Sequence, residues 1–122
     1  MDMFGIHEKS LHLRAQRAAV ISSNIFNAAT PHFKARDLDV EPQLAQTLEQ
    51  SGPRLTHPRH LDPQSIETPA KYRVPIRESL DGNTVDVAYE QVKFAENSVQ
   101  YRATLSFLNS RITTIRRALR GE

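Results

Sequence analysis

The stretch Phe94-Ala95-Glu96-Asn97-Ser98-Val99-Gln100-Tyr101-Arg102-Ala103-Thr104-Leu105-Ser106-Phe107-Leu108-Asn109-Ser110-Arg111-Ile112-Thr113-Thr114-Ile115-Arg116-Arg117-Ala118-Leu119 decides the fold. Within it Phe94, Ser98, Tyr101, Leu105, Leu108, Ile112, Ile115 and Leu119 recur at alternating fours and threes, the spacing of a heptad seam. The pattern predicts one helix from Val87 to Leu119, about 33 residues and roughly 50 Å long at 1.5 Å per residue, with Asp86 as its N-cap. Asp81-Gly82-Asn83 before it is turn chemistry. A second stripe, Val85, Ala88, Val92, Ala95 and Val99, lies one residue out of phase, about 100° around the axis. The first half of this helix therefore presents more apolar face than one partner helix covers.

The prolines set the rest of the organisation. Six of the seven (Pro42, Pro53, Pro58, Pro63, Pro69 and Pro75) fall between residues 42 and 75, and the other is Pro31. Proline removes a helix donor and clashes with the preceding turn, so proline-free flanks around this middle predict helix, irregular segment, helix. The first flank, residues 3–28, aligns Phe4, Leu11, Ala15, Ala18, Ser22 and Ile25 along one helical stripe. Ala15, Ala18, Ala19, Ser22 and Ser23 make that face small enough for close approach of another helix. The helix is expected to stop before Pro31, because the residue preceding a proline is pushed out of the α region and Asn27 tolerates the turn.

The expected fold is mainly α. An N-terminal helix (residues 1–30) and a C-terminal helix (84–122) pair as an antiparallel coiled-coil hairpin, joined by an extended proline-rich segment (31–83). In that segment Tyr72-Arg73-Val74-Pro75-Ile76-Arg77 alternates like a short edge strand of a small β-hairpin.

Composition excludes several chemistries. At 122 residues the chain is one domain, with 39% apolar and 25% charged residues. It has no cysteine, so disulfide scaffolds, thiolate zinc sites and cysteine nucleophiles are ruled out. Sixteen Lys and Arg against fourteen Asp and Glu leave a formal charge of +2, short of a nucleic-acid-binding signature. No run reaches the roughly 18–20 apolar residues of a membrane helix, and Met1-Asp2-Met3 carries an acid where a secretory signal carries positive charge.

The surplus apolar face points to assembly. A two-helix hairpin buries one stripe per helix, and this chain presents about a stripe and a half on each. Four or five aliphatic side chains left in water each forgo about 1.5–3 kcal/mol, in sum comparable to a small domain's net stability. The competing expectation is one compact monomer in which Leu44, Leu48, Leu55, Leu61, Ile66, Val74, Ile76 and Leu80 cover the stripes.

The junction Ser22-Ser23-Asn24-Ile25-Phe26-Asn27-Ala28-Ala29-Thr30-Pro31-His32-Phe33-Lys34-Ala35-Arg36-Asp37 resembles the signature of the bacterial flagellar rod and hook protein family. That signature runs asparagine, aliphatic, small, asparagine, then Thr-Pro, glycine, an aromatic and a basic residue. Lys34-Ala35-Arg36-Asp37-Leu38-Asp39, Thr56-His57-Pro58-Arg59-His60-Leu61, Asp81-Gly82-Asn83-Thr84-Val85-Asp86 and Ala95-Glu96-Asn97 are similar to its proximal rod members. Phe26 stands where the family has alanine, and His32 where it has glycine.

The resemblance implies a non-enzymatic subunit of the proximal rod, without cofactor or metal, in the periplasmic part of the basal body and exported without signal cleavage. It implies Asn24, Asn27, Thr30, Pro31 and Phe33 as the signature at the helix exit. The seam of assembly would be Leu11, Ala15, Ala18 and Ile25 with Phe94, Tyr101, Leu105, Leu108, Ile112, Ile115 and Leu119. The implied partners are other copies, the rod proteins FlgC, FlgF and FlgG, the rod adaptor FliE, the membrane ring protein FliF and the flagellar type III export apparatus, with neither nucleic acid nor membrane insertion.

Other chemistries read weaker. His57, His60 and Asp62 include metal-ligand types, but Pro58 and Pro63 preclude regular helical presentation and a fourth ligand is not evident. Asp37, Asp39 and Glu41 alternate like paired carboxylates with no nucleophile beside them. Arg111, Arg116, Arg117 and Arg120 suit the carbonyl end of a helix, or, as an alternative function, a small helical-hairpin module binding nucleic acid.

Overall fold

A computed structural model describes residues 4–50, 69–75, 77 and 79–121. In chain order these form α1 (Gly5–Phe26), β1 (Arg36–Asp37), α2 (Val40–Gln50), β2 (Lys71–Tyr72) and α3 (Val87–Arg120). Helices α1 and α3 pack antiparallel: Asn24 meets Glu90 at one end, and Arg14 meets Asn97 and Gln100 further along. The chain is thus a mainly helical hairpin, and no described helix is long and apolar enough to cross a membrane.

The ends of α3 follow their sequence chemistry. Asp86 takes an extended conformation and its carboxylate accepts the Tyr89 N–H, satisfying a donor that the first turn leaves open. Gly121 closes the helix at φ 75°, and its N–H returns to the carbonyls of Arg117 and Ala118. Helix α1 ends at Asn27, four residues ahead of Pro31.

The middle segment differs from the expectation of an irregular connector, because it contains α2. Pro42 is the third residue of that helix, where the backbone N–H has no intrahelical acceptor and nothing is lost. Leu38, Val40 and Leu44 then pack on Leu13 of α1 as the apolar core, with Ile21 and Ala35 also buried. The small sheet is present but joins distant segments: β1 and β2 pair antiparallel, Arg36 opposite Tyr72 and Asp37 opposite Lys71, with α2 between them in sequence.

Helix α3 contributes two buried side chains, and both are polar: Glu90, 0% exposed, and Asn97, 1% exposed. Its apolar residues are exposed or half-buried. Val92 is 56% and Val99 66% exposed, and Phe107 and Leu119 are exposed as well. The described part of the middle segment does not cover the second stripe, and Phe26 also points to solvent.

The turn after α1 imposes the least usual backbone. His32 has φ 61° and Gly82, beside it, φ 74°. A Cβ at residue 82 would lie 2.9 Å from the His32 Nδ1. Gly82→Ala is therefore expected to lower stability by about 1–2 kcal/mol in urea unfolding, from strain plus crowding. Gly121→Ala carries the same sign of φ in open space and is expected to cost less. Equal losses at the two positions would remove the crowding contribution.

Candidate functional site

The residues of the helix exit are tied into one joint by side-chain amides. Asn24, 1% exposed, donates to the Arg36 carbonyl at 2.6 Å and accepts the Arg36 N–H at 3.1 Å. Its amide thus holds both backbone groups of one β1 residue, as a neighbouring strand would. The Asn24 Nδ2 also donates to Glu90 at 3.2 Å, so a single side chain links α1, β1 and α3.

Asn27 donates to the Ser23 carbonyl and accepts from the Thr30 hydroxyl, folding the chain back on the last turn of α1. Opposite it, the buried Asn83 aims Nδ2 at the carbonyls of Asn27, Ala28 and Thr30, each 2.8–2.9 Å away. Two hydrogens shared among three carbonyls satisfy acceptors that the end of a helix leaves open. Phe33 is half-buried, and its carbonyl accepts the Thr84 N–H at 3.0 Å. Pro31 is exposed, and His32 donates its N–H to the Asp81 carbonyl.

A charged cluster lies against this joint. Arg17 of α1 grips Asp37 with two bonds of 2.9 and 3.0 Å. Arg73, just past β2, reaches Asp37 at 2.8 Å, pairs with Glu90, and lies over the Tyr89 ring at 4.8 Å. Burial pushes the Asp37 carboxyl up, but the bonds from Arg17, Arg73 and the Leu38 N–H outweigh it and hold the group below its ordinary 3.8. The same bond to Asp37 raises Arg17, against the effect of burial.

A carboxyl held low in the fold stabilises it fully above the unfolded value near 4, and this is lost as pH falls through the depressed value. Asp37→Asn is expected to unfold in less urea at pH 7, and its deficit relative to the parent is expected to shrink below pH 4. A deficit constant from pH 7 to pH 3 would mean that charge at Asp37 is not what matters.

Each acid and base faces an opposite charge or a backbone group, and the cluster joins four elements of the chain. Among the described residues no three His, Asp or Glu side chains stand together as a metal site. His57, His60 and Asp62 lie outside the described residues.

No family model matches the chain. Individual relatives do. It is 44% identical over 123 residues to the flagellar basal body rod protein FlgB of Cereibacter sphaeroides, covering 99% of this chain and 96% of the relative. It is 44% identical to FlgB of Aeromonas hydrophila, over 98% of this chain and 93% of the relative. With FlgB of Salmonella typhimurium identity is 39%, over 93% and 90%. The chain belongs to the FlgB family of flagellar basal body rod proteins.

Against that membership the sequence-derived residues sort by their surroundings. Asn24, Asn27, Thr30 and Phe33 meet in the joint, and Pro31 stands at its edge. Of the α1 stripe, Leu11, Ala18 and Ile25 are half-buried and Ala15 is exposed, while the buried line runs through Ser10, Leu13, Ile21 and Asn24. On α3, Tyr101, Leu108, Ile112 and Ile115 are half-buried, and Phe94, Leu105 and Leu119 are exposed. The terminal arginines Arg111, Arg116, Arg117 and Arg120 are exposed. Arg17 and Glu90 were not named from sequence, and Arg73, Asn83 and Asn97 appeared there only inside longer motifs, without a role of their own. The available signal was the seven-residue interval from Glu90 to Asn97, which places two polar groups on one helical face.

Proposed function

We propose that this chain is a structural subunit of the proximal flagellar rod, polymerising through α1 and α3 into the shaft that transmits torque from motor to hook. The observation that carries this is the identity of 39–44% to FlgB proteins over nearly the whole chain. The exposed apolar residues of α3 support it, since a subunit completed by its neighbours leaves such a face open.

On this reading the seam residues Leu11, Ala15, Ala18, Ile25, Phe94, Tyr101, Leu105, Leu108, Ile112, Ile115 and Leu119 make contacts between subunits. The joint at Asn24, Asn27, Thr30, Pro31 and Phe33 sets the angle at which the chain leaves α1. The partners are other copies, FlgC, FlgF, FlgG, FliE and FliF, met in the periplasm after passage through the flagellar type III apparatus without signal cleavage. The chain performs no catalysis of its own and takes no cofactor.

The test is to delete the gene in its source bacterium and image detergent-extracted basal bodies by electron microscopy. Membrane rings without rods, restored by the intact gene, are the expected result. Normal rods and hooks in the deletion strain, with no second copy of the gene, would overturn the assignment.

A further inference from the structure

We propose that residues 69–75 form a strap that opens and closes on the helical pair as a unit of its own, with Arg73 as its one anchoring side chain. The strap has almost nothing apolar to hold it. Pro69, Lys71, Tyr72, Val74 and Pro75 are exposed and Ala70 is half-buried, so closing it removes little hydrocarbon from water. Its sheet is two residues deep, too short to persist unaided.

What remains is polar and converges on one residue. The Arg73 N–H donates to the Ala35 carbonyl at 2.9 Å, and its guanidinium, 15% exposed, bonds Asp37 and Glu90 over the Tyr89 ring. The other side-chain attachments lie at the surface: Lys71 to Asp39 at 3.5 Å, and Arg36, which lies against the Tyr72 ring at 5.1 Å and donates to its hydroxyl at 3.4 Å. Exposed pairs of this kind hold weakly.

The helical pair does not need the strap. With residues 69–75 lifted away, Asn24 still holds Arg36, Asn83 still caps α1, and Asn97 still donates to the Arg14 carbonyl. Leu13 still packs against Leu38 and Val40. Opening also admits water to Asp37 and Glu90, so their charges are not stranded in a dry interior, and Arg17 remains to pair with Asp37. Local opening is therefore easier than unfolding the hairpin.

Hydrogen exchange on the full chain, read by residue-resolved NMR, tests this. The amides of Tyr72 and Arg73 are expected to exchange at least roughly tenfold faster than those of Leu13, Ile21 and Asn97, with rates insensitive to low urea because opening exposes little surface. Arg73→Met is expected to accelerate the strap by roughly a further tenfold, with the helix amides remaining slower than the strap. Strap and helix amides that share one rate and one urea dependence in the parent protein would overturn the proposal. So would an Arg73→Met chain whose helices exchange as fast as its strap, or that does not fold.

Discussion

Replacing Asn24 by leucine is expected to cost about 3–5 kcal/mol, because three groups lose their partner in one step and each buried orphan costs about 1–3 kcal/mol. The Arg36 N–H and carbonyl lose their bonds to α1, leaving the Arg17–Asp37 pair to tie β1 to that helix, and one oxygen of Glu90 loses its donor. Leucine matches the volume, so the loss reads the polar function of the site and not a cavity. For a domain of this size the melting temperature is expected to fall by more than about 10 °C. Asn24→Asp sharpens the result. It keeps an acceptor for the Arg36 N–H but removes the donor and sets a second carboxylate beside Glu90, so it is expected to be no better than leucine near neutrality. A leucine variant within about 1 kcal/mol of the parent by thermal or urea unfolding would show that strand and helix are held by other means.

Ile115→Asp is expected to do the opposite: leave the chain folded and abolish rods. Asn97 and Gln100 lie beside Arg14, and stepping nine residues back to Gly5 brings α1 to its start opposite about residue 109 of α3. Residues 110–120 thus run on without α1 beside them. A carboxylate at residue 115 meets no described core residue, so the stability change is expected to stay within about 0.5 kcal/mol. In an assembled shaft the same carboxylate would enter a packed seam with no partner, which close packing does not tolerate. The readouts are thermal unfolding of the purified variant and basal-body images of a strain carrying it. Normal rods in that strain would remove Ile115 from the subunit contacts, even if family membership stands.

The two variants also mark what sequence could and could not deliver. The long helix was legible because its seam residues repeat over nearly four heptads, from Phe94 to Leu119, and Asp86 stands ready to cap its start. Helix α2 was not, because Pro42 reads as a breaker until its place in the first turn is known. Of the helix-exit residues, Asn27 and Pro31 were legible from turn chemistry, and Asn24, Thr30 and Phe33 only through resemblance. Periodicity analysis looks for apolar side chains, and this interface buries Asn24, Glu90 and Asn97 instead. Asp37 shows the difficulty plainly. In sequence it alternates with Asp39 and Glu41, whereas Arg17 and Arg73, distant in sequence, hold it in the cluster. His32 occupies the left-handed region, φ 61°, at the position where the resembled signature has glycine.

The polar character of the α1–α3 contact has a mechanical side. Helices that meet through aliphatic side chains can creep along one another, since one methyl group serves nearly as well as the next. Helices pinned by amides cannot: sliding α3 by one turn, about 5.4 Å, would break the bonds of Asn97 to Arg14 and of Glu90 to Asn24 before any new ones formed. The helical pair is therefore held against axial shear, like a bolted joint rather than a greased one.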